Sequence, residues 1–129
     1  MKLKQILFAF LAVVMITTVS CKKDDTPFTD ALSNTTWVGT TDGVNPVAFK
    51  FFADGKVTFF TTGLNAPAAG QFKGSYTYAN GIVLLTVVDP ADAADKSSFS
   101  GTLTGNTITG TYGQGASTDD GGVFSITKQ

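Results

Sequence analysis

The chain contains no His, no Arg and no Glu, and its one Cys is Cys21. All nine basic residues are Lys and all ten acidic residues are Asp. Without His, neither a Ser-His-Asp nor a Cys-His nucleophile system can be assembled. A tetrahedral zinc centre of the Cys/His type cannot be built within one chain. The lack of Arg and a formal charge of −1 argue against nucleic-acid binding, which requires many phosphate-neutralising side chains. No cofactor is implied. Long apolar runs are also scarce: Ile6 to Val19 is uncharged but is shorter than the roughly 20 residues of a membrane-spanning helix.

That run follows Lys2 and Lys4 and precedes the small residue Ser20. A basic start, a short apolar stretch and a small residue before a cut describe an export signal over residues 1–20. The end of the run, Val19-Ser20-Cys21, resembles a bacterial lipobox, with Thr18 where Leu is common. The resemblance implies that Cys21 becomes the lipidated first residue, carrying diacylglyceryl and acyl groups that attach the chain to a membrane. Two or more acyl chains anchor stably where one does not. Removing Lys2 and Lys4 leaves seven Lys against ten Asp, a net charge of −3.

Residues 21–30 read as a charged tether, since such segments cannot bury enough apolar surface to order. Within it, Lys23, Asp24 and Asp25 resemble the surface-export signal of some Gram-negative lipoproteins. That implies an outer-membrane protein facing outward, with an inward-facing periplasmic one as the alternative.

Beyond the tether the chain is rich in Thr, Phe and Gly, with Gly, Asn and Asp recurring at short intervals. This spacing predicts an all-β domain over 31–129. The strands fall at about 35–41, 46–52, 56–62, 71–78, 82–88, 97–104, 107–113 and 122–128, with one short helical turn near 29–33. Gly105-Asn106 is a two-residue hairpin turn. It pairs Leu103 with Ile108 and Phe99 with Tyr112 on an apolar face. Ser100, Thr102, Thr109 and Thr111 then share a hydroxyl face, and a one-residue slip would mix the two.

Ala53-Asp54-Gly55 fits a three-residue loop that pairs Phe51 with Val57 and Phe49 with Phe59. Lys50 and Thr58 then face solvent. At Asn80-Gly81 the register stays open, because Ile82-Val83-Leu84-Leu85 is apolar on both faces. Such a run means either burial on both sides or an apolar patch outside. Turns after even strands are tight, whereas 42–45, 63–70, 89–96 and 114–121 are longer. An eight-stranded antiparallel up-and-down β-barrel, closed at one end and ringed by four loops at the other, follows.

This pattern resembles the lipocalin-like domains of bacterial lipoproteins. The resemblance is carried by Leu32-Ser33-Asn34-Thr35-Thr36-Trp37, Phe49 to Val57, Gly74 to Tyr78, and Gly101 to Ile108. Relatives usually carry Gly where this chain has Thr35. The family implies a calycin-type barrel that binds a small apolar or amphipathic molecule at its open end, with Trp37 plugging the closed end. The alternative fold is an immunoglobulin-like sandwich.

The inward residues are Trp37, Val47, Phe49, Phe51, Val57, Phe59, Phe72, Tyr76, Leu84, Phe99, Leu103, Ile108, Tyr112, Phe124 and Ile126. They form either a ligand pocket or a packed core, since an eight-stranded barrel is just wide enough for either. Asp89, Asp92, Asp95, Asp119 and Asp120 sit on loops of one end. A carboxylate pair can hydrolyse glycosides and an oxygen cluster can hold Ca²⁺. The plainer reading is that these Asp residues form turns and aid solubility.

The expected protein is therefore a monomeric, non-enzymatic lipoprotein that binds a small ligand. The alternative is a cell-envelope interaction protein whose filled barrel presents loops to a protein or glycan. Replacing Cys21 with Ser is expected to move the protein from the membrane fraction to the soluble fraction. Continued sedimentation of C21S with membranes would contradict the anchor.

Overall fold

A computed structural model describes residues 30–129. The expected signal segment 1–20, Cys21, Lys23, Asp24 and Asp25 lie outside the described residues. The rest forms eight antiparallel strands: β1 (Thr35–Thr41), β2 (Asn45–Phe51), β3 (Lys56–Phe60), β4 (Gln71–Ala79), β5 (Ile82–Asp89), β6 (Asp92–Thr104), β7 (Thr107–Gln114) and β8 (Gly122–Lys128). Each strand pairs with its neighbour in sequence, and β1 pairs with β8 to close the barrel. Closure leaves no sheet edge unpaired. The structure is thus the predicted up-and-down barrel and not the sandwich.

The hairpin registers follow from side-chain chemistry. Across β6 and β7, Leu103 pairs with Ile108, Phe99 with Tyr112 and Thr102 with Thr109. Phe51 pairs with Val57 and Phe49 with Phe59 across β2 and β3. Gly55 and Gly105 take the positive φ values that these two turns require, 79° and 60°. At the turn left open by sequence, Asn80 (φ 54°) and Gly81 (φ 80°) make a two-residue connection that pairs Tyr78 with Val83. Val83, Leu85 and Val87 consequently point inward and are buried. Ile82 and Leu84 point outward, 49% and 47% exposed. The expectation that Leu84 faces the interior is corrected: the two-residue turn sets the parity of β5.

Three other expectations change. Residues 89–96 are not a long loop. The turn is tight, at Pro90 and Ala91, and β6 runs from Asp92 past an irregularity beside Val88 and Asp89. The segment near Ser33 is a turn and not helical. The Asp30 carboxylate accepts the Leu32 and Ser33 amides at 2.7 and 2.9 Å, holding Leu32 fully buried. Short side chains that capture nearby amides compete with helix in this way. Finally, Thr58 faces outward as expected but is only 4% exposed. Lys73, paired opposite it, donates from its Nζ to the Thr58 hydroxyl at 3.1 Å.

The core is aromatic. Phe49 on β2 and Phe99 on β6 lie four strands apart in a ring of eight, so they come from opposite walls. Their ring centroids are 5.2 Å apart in an edge-to-face arrangement. Phe59 and Phe124 complete the layer, at 5.1 and 5.4 Å from Phe99. Below it, Phe51 packs edge-on to Tyr76 at 4.8 Å. Gly101 faces this layer: a Cβ there would lie 2.8 Å from Phe124 Cζ and 2.7 Å from Ile108 Cγ2. The space that glycine leaves is filled by its neighbours' side chains.

A second apolar cluster lies on the outside. Ala48 and Phe60, adjacent on β2 and β3, are covered by Ala66 from the connection between β3 and β4. That connection, which includes the 3-10 turn Ala68–Gly70, therefore folds down over the wall. Phe99→Ala is expected to destabilise the fold by about 3–5 kcal/mol, because it empties the centre of the ring layer. Leu84→Ala, on the exposed face, is expected to change stability by less than about 1 kcal/mol. Urea denaturation of both variants checks the contrast.

Candidate functional site

The residues expected to line a pocket do share the interior. Trp37, Phe49, Phe51, Phe59, Phe72, Tyr76, Phe99, Ile108 and Phe124 are buried in one cluster, with Leu103 and Tyr112 packed against it. Val47, Val57 and Ile126 join them. Their rings touch across the axis, so the lumen at that level is protein and not a chamber.

The closed end is held by hydrogen bonds. Trp37 donates Nε1–H to Thr35 Oγ1 at 2.8 Å, and Thr35 in turn donates its hydroxyl to the Leu32 carbonyl. Thr35 therefore fixes the Trp ring. Tyr76 donates to the Phe52 carbonyl at 3.2 Å, and its hydroxyl lies 3.4 Å from Ser33 Oγ and from Asp30 Oδ1. Burial pushes the Tyr76 hydroxyl above its ordinary pKa.

At the other end a latch joins three strands. Asp42, in the turn after β1, accepts the Tyr112 hydroxyl at 2.5 Å and the Val123 amide at 3.0 Å. These two bonds hold the Asp42 carboxyl below its ordinary value, the tyrosine bond contributing most. The same bond raises Tyr112.

Four other carboxylates at this end accept local hydrogen bonds. Asp89 and Asp92 accept the Ala91 and Ala94 amides, Asp119 accepts the Ser117 hydroxyl, and Asp120 accepts the Gln114 amide. Among the described residues no group of three or more candidate ligands is placed to hold a metal ion.

The open surface lies on the outer wall. Outward positions of β4 and β5, namely Ser75, Thr77, Leu84 and Thr86, form the floor of a recess of about 330 Å³. Ala116 and Thr118 of the connection between β7 and β8 border it. That connection is tied down where Ser98 donates its hydroxyl to the Gly115 carbonyl at 2.6 Å. Ser98 has one proton, so the 2.9 Å contact with Thr86 is a bond that Thr86 donates.

A second recess of about 530 Å³ adjoins the first and shares Ser75 and Thr86 with it. It is lined by Lys56, Lys73, Lys96, Gly74 and Val88. The registers explain the grouping. Lys56 pairs with Ser75, which pairs with Thr86; Lys73 pairs with Val88, which pairs with Lys96. Two adjacent rows on the outer face thus carry three cations around two hydroxyls.

Sequence reasoning left an outward apolar patch at Ile82 to Leu85 as one of two alternatives and did not single out these lysines. The signal that would have found them is the outward parity of β4 and β5, which depends on the register at Asn80-Gly81.

The molecule is, by its fold, a closed eight-stranded up-and-down barrel with a filled interior and a recessed outer wall. Comparison with protein-family models, curated proteins and solved structures found no match for this chain.

Asp42 sets a pH dependence. A lowered carboxyl pKa in the folded state contributes stability above the unfolded value of about 3.9, and that stability is lost as pH falls through the folded value. Asp42→Asn is expected to lower the urea midpoint near pH 7. Acidification to about pH 3 is expected to narrow the difference from wild type. An equal difference at both pH values would contradict the latch.

Proposed function

We propose that the protein is a non-enzymatic binding module of the cell envelope that holds an amphipathic molecule against the outside of its barrel. The contact of Phe49 with Phe99 across the lumen carries this reading, because it removes the interior as the place for a ligand. The exposed wall then supplies the binding surface. Ile82 and Leu84 are large, apolar and half exposed on one strand. Beside them lie the hydroxyls of Ser75, Thr77 and Thr118. Apolar contact with a few placed polar groups is the usual composition of a small-molecule site. Exposed apolar side chains gathered on one face also mark interaction surfaces more often than isolated ones do.

The lipobox-like Val19-Ser20-Cys21 supports attachment through lipid on Cys21, and Lys23, Asp24 and Asp25 support display at the outer membrane surface. No residue set suited to nucleophilic or metal-assisted chemistry is part of this reading. A lipocalin-like ancestry fits the strand order, although the ligand position proposed here is on the wall and not in the cup.

The test is an amide chemical-shift titration of the full chain, held in phosphatidylcholine nanodiscs, with octyl glucoside as a neutral amphiphile. Shifts are expected at Thr77, Leu84 and Ala116, and Leu84→Asp is expected to abolish them. Shifts confined to Phe49, Phe99 and Phe124 would return the ligand to the lumen.

A further inference from the structure

The outer wall changes polarity along β5. Its outward residues run Ile82, Leu84, Thr86 and Val88, from the exposed apolar pair to the floor of the lysine recess. At about 3.4 Å per residue, Leu84 and Val88 stand roughly 14 Å apart. That span matches one amphiphile, with its tail at one end and its head at the other. From this we infer that the wall site selects an acidic amphiphile whose head is an oxyanion, a sulfate or phosphate ester, seated among Lys56, Lys73 and Lys96. The inference rests on the outer-wall reading above and names the ligand's chemistry.

Four observations carry it. First, the cations are not spent on carboxylates. Lys73 gives its hydrogen bond to a hydroxyl, that of Thr58. None of the three lysines makes an ion pair among the described residues. Second, the patch does not reflect a basic protein. The chain is acidic, with a pI near 5.0, and six aspartates (Asp42, Asp89, Asp92, Asp95, Asp119 and Asp120) gather at the loop end. Three lysines nonetheless line one recess, beside Asp89 and Asp95 at its loop-end margin, and such local clustering of cations steers anions.

Third, the lysines can converge. Lys73 and Lys96 flank Val88 in one row, two strand spacings apart, about 9.6 Å. Lys73 now turns its Nζ to Thr58, on the β3 side, and a rotation of its four-carbon stem brings it over Val88 towards Lys96, with Lys56 in the next row of the same recess. Fourth, the donors suit an anion. Ser75 lines both recesses and its hydroxyl makes no hydrogen bond to a described residue, so the hydroxyl proton is available. Thr86 is committed to Ser98. The ammonium groups are compact point charges that suit a tetrahedral oxyanion.

Lys50 falls outside this set. It pairs with Thr58 on the far side and places its Nζ 5.7 Å above the Phe60 ring. Three charges gathered at one shallow, open recess fit a single head group better than a flat membrane, which a curved wall meets at only a few points.

The experiment compares four probes on the full chain in phosphatidylcholine nanodiscs: octyl sulfate, octyl glucoside, octyltrimethylammonium and inorganic phosphate. Octyl sulfate is expected to bind about tenfold more tightly than octyl glucoside, with the cationic amphiphile weakest. Inorganic phosphate is expected to shift the amides of Lys73, Ser75 and Lys96 and to leave Leu84 unmoved. The triple variant K56Q/K73Q/K96Q is expected to bring the sulfate preference to about one while keeping the glucoside affinity. The control K50Q/K128Q is expected to retain the preference.

Equal binding of the three amphiphiles, or a sulfate preference that survives the triple variant, overturns the inference while the wall reading stands. Loss of the preference in K50Q/K128Q as well overturns it in favour of unspecific charge. Binding to phosphatidylglycerol vesicles without any octyl sulfate preference overturns it in favour of a membrane surface. A phosphate response at the recess with no glucoside response at Leu84 keeps the oxyanion seat and removes the amphiphile reading.

Discussion

The contact between Phe49 and Phe99 is the constraint on which the rest depends. These rings reach from opposite walls of a closed barrel and meet edge to face. With Phe59 and Phe124 they form a layer that ties four of the eight strands to one another through the centre. Such edge-to-face pairs add to the stabilisation from area burial alone. The layer also dictates where glycine is required. Gly101 stands where Phe124 and Ile108 need the volume of a side chain. A barrel of this size has room for ligand or for packing, and here packing takes it.

A filled interior moves every functional question to the exterior. The outer wall is unevenly finished. Over β2 and β3, the long connection folds down and Ala66 covers Ala48 and Phe60. Over β6 and β7, the connection ending at β8 is bonded down at Ser98 and crowds Gly113, where a Cβ would lie 2.2 Å from Asp120. Between these covered zones, β4 and the outer face of β5 stay open. Two of the connections expected to ring a mouth are thus used as external covers, and the uncovered strip between them is the accessible recess. The latch from Asp42 to Tyr112 and Val123 holds the end from which one of those covers springs.

Much of the barrel was legible because β-hairpins are local. Gly105 and Gly55 specify their turns, and the turns specify which residues face each other. The strand positions from sequence agree with the structure to within a residue or two, save at β6. There the chain reads as polar and loop-like from Asp92 to Asp95, yet it pairs back towards β5 across an irregularity. Backbone pairing decided that segment where side-chain pattern argued for a loop. β5 failed for the opposite reason. Four consecutive apolar residues carry no alternation, so only the geometry at Asn80 and Gly81 distinguishes Leu84 outside from Leu85 inside.

The sequence by itself determined the number of strands, their antiparallel order, the interior set led by Trp37, Phe49 and Phe99, and the exclusion of His-based chemistry. Those follow from residue types and from neighbours close along the chain. The tertiary structure alone decided that the interior is full and that the open surface is external. It also brought Lys56, Lys73 and Lys96 together. These depend on distances between strands far apart in sequence, on ring packing across a closed barrel, and on a register that the sequence left undetermined. Closure of the sheet turns a list of alternating residues into an inside and an outside, and only then do three separate lysines become one site.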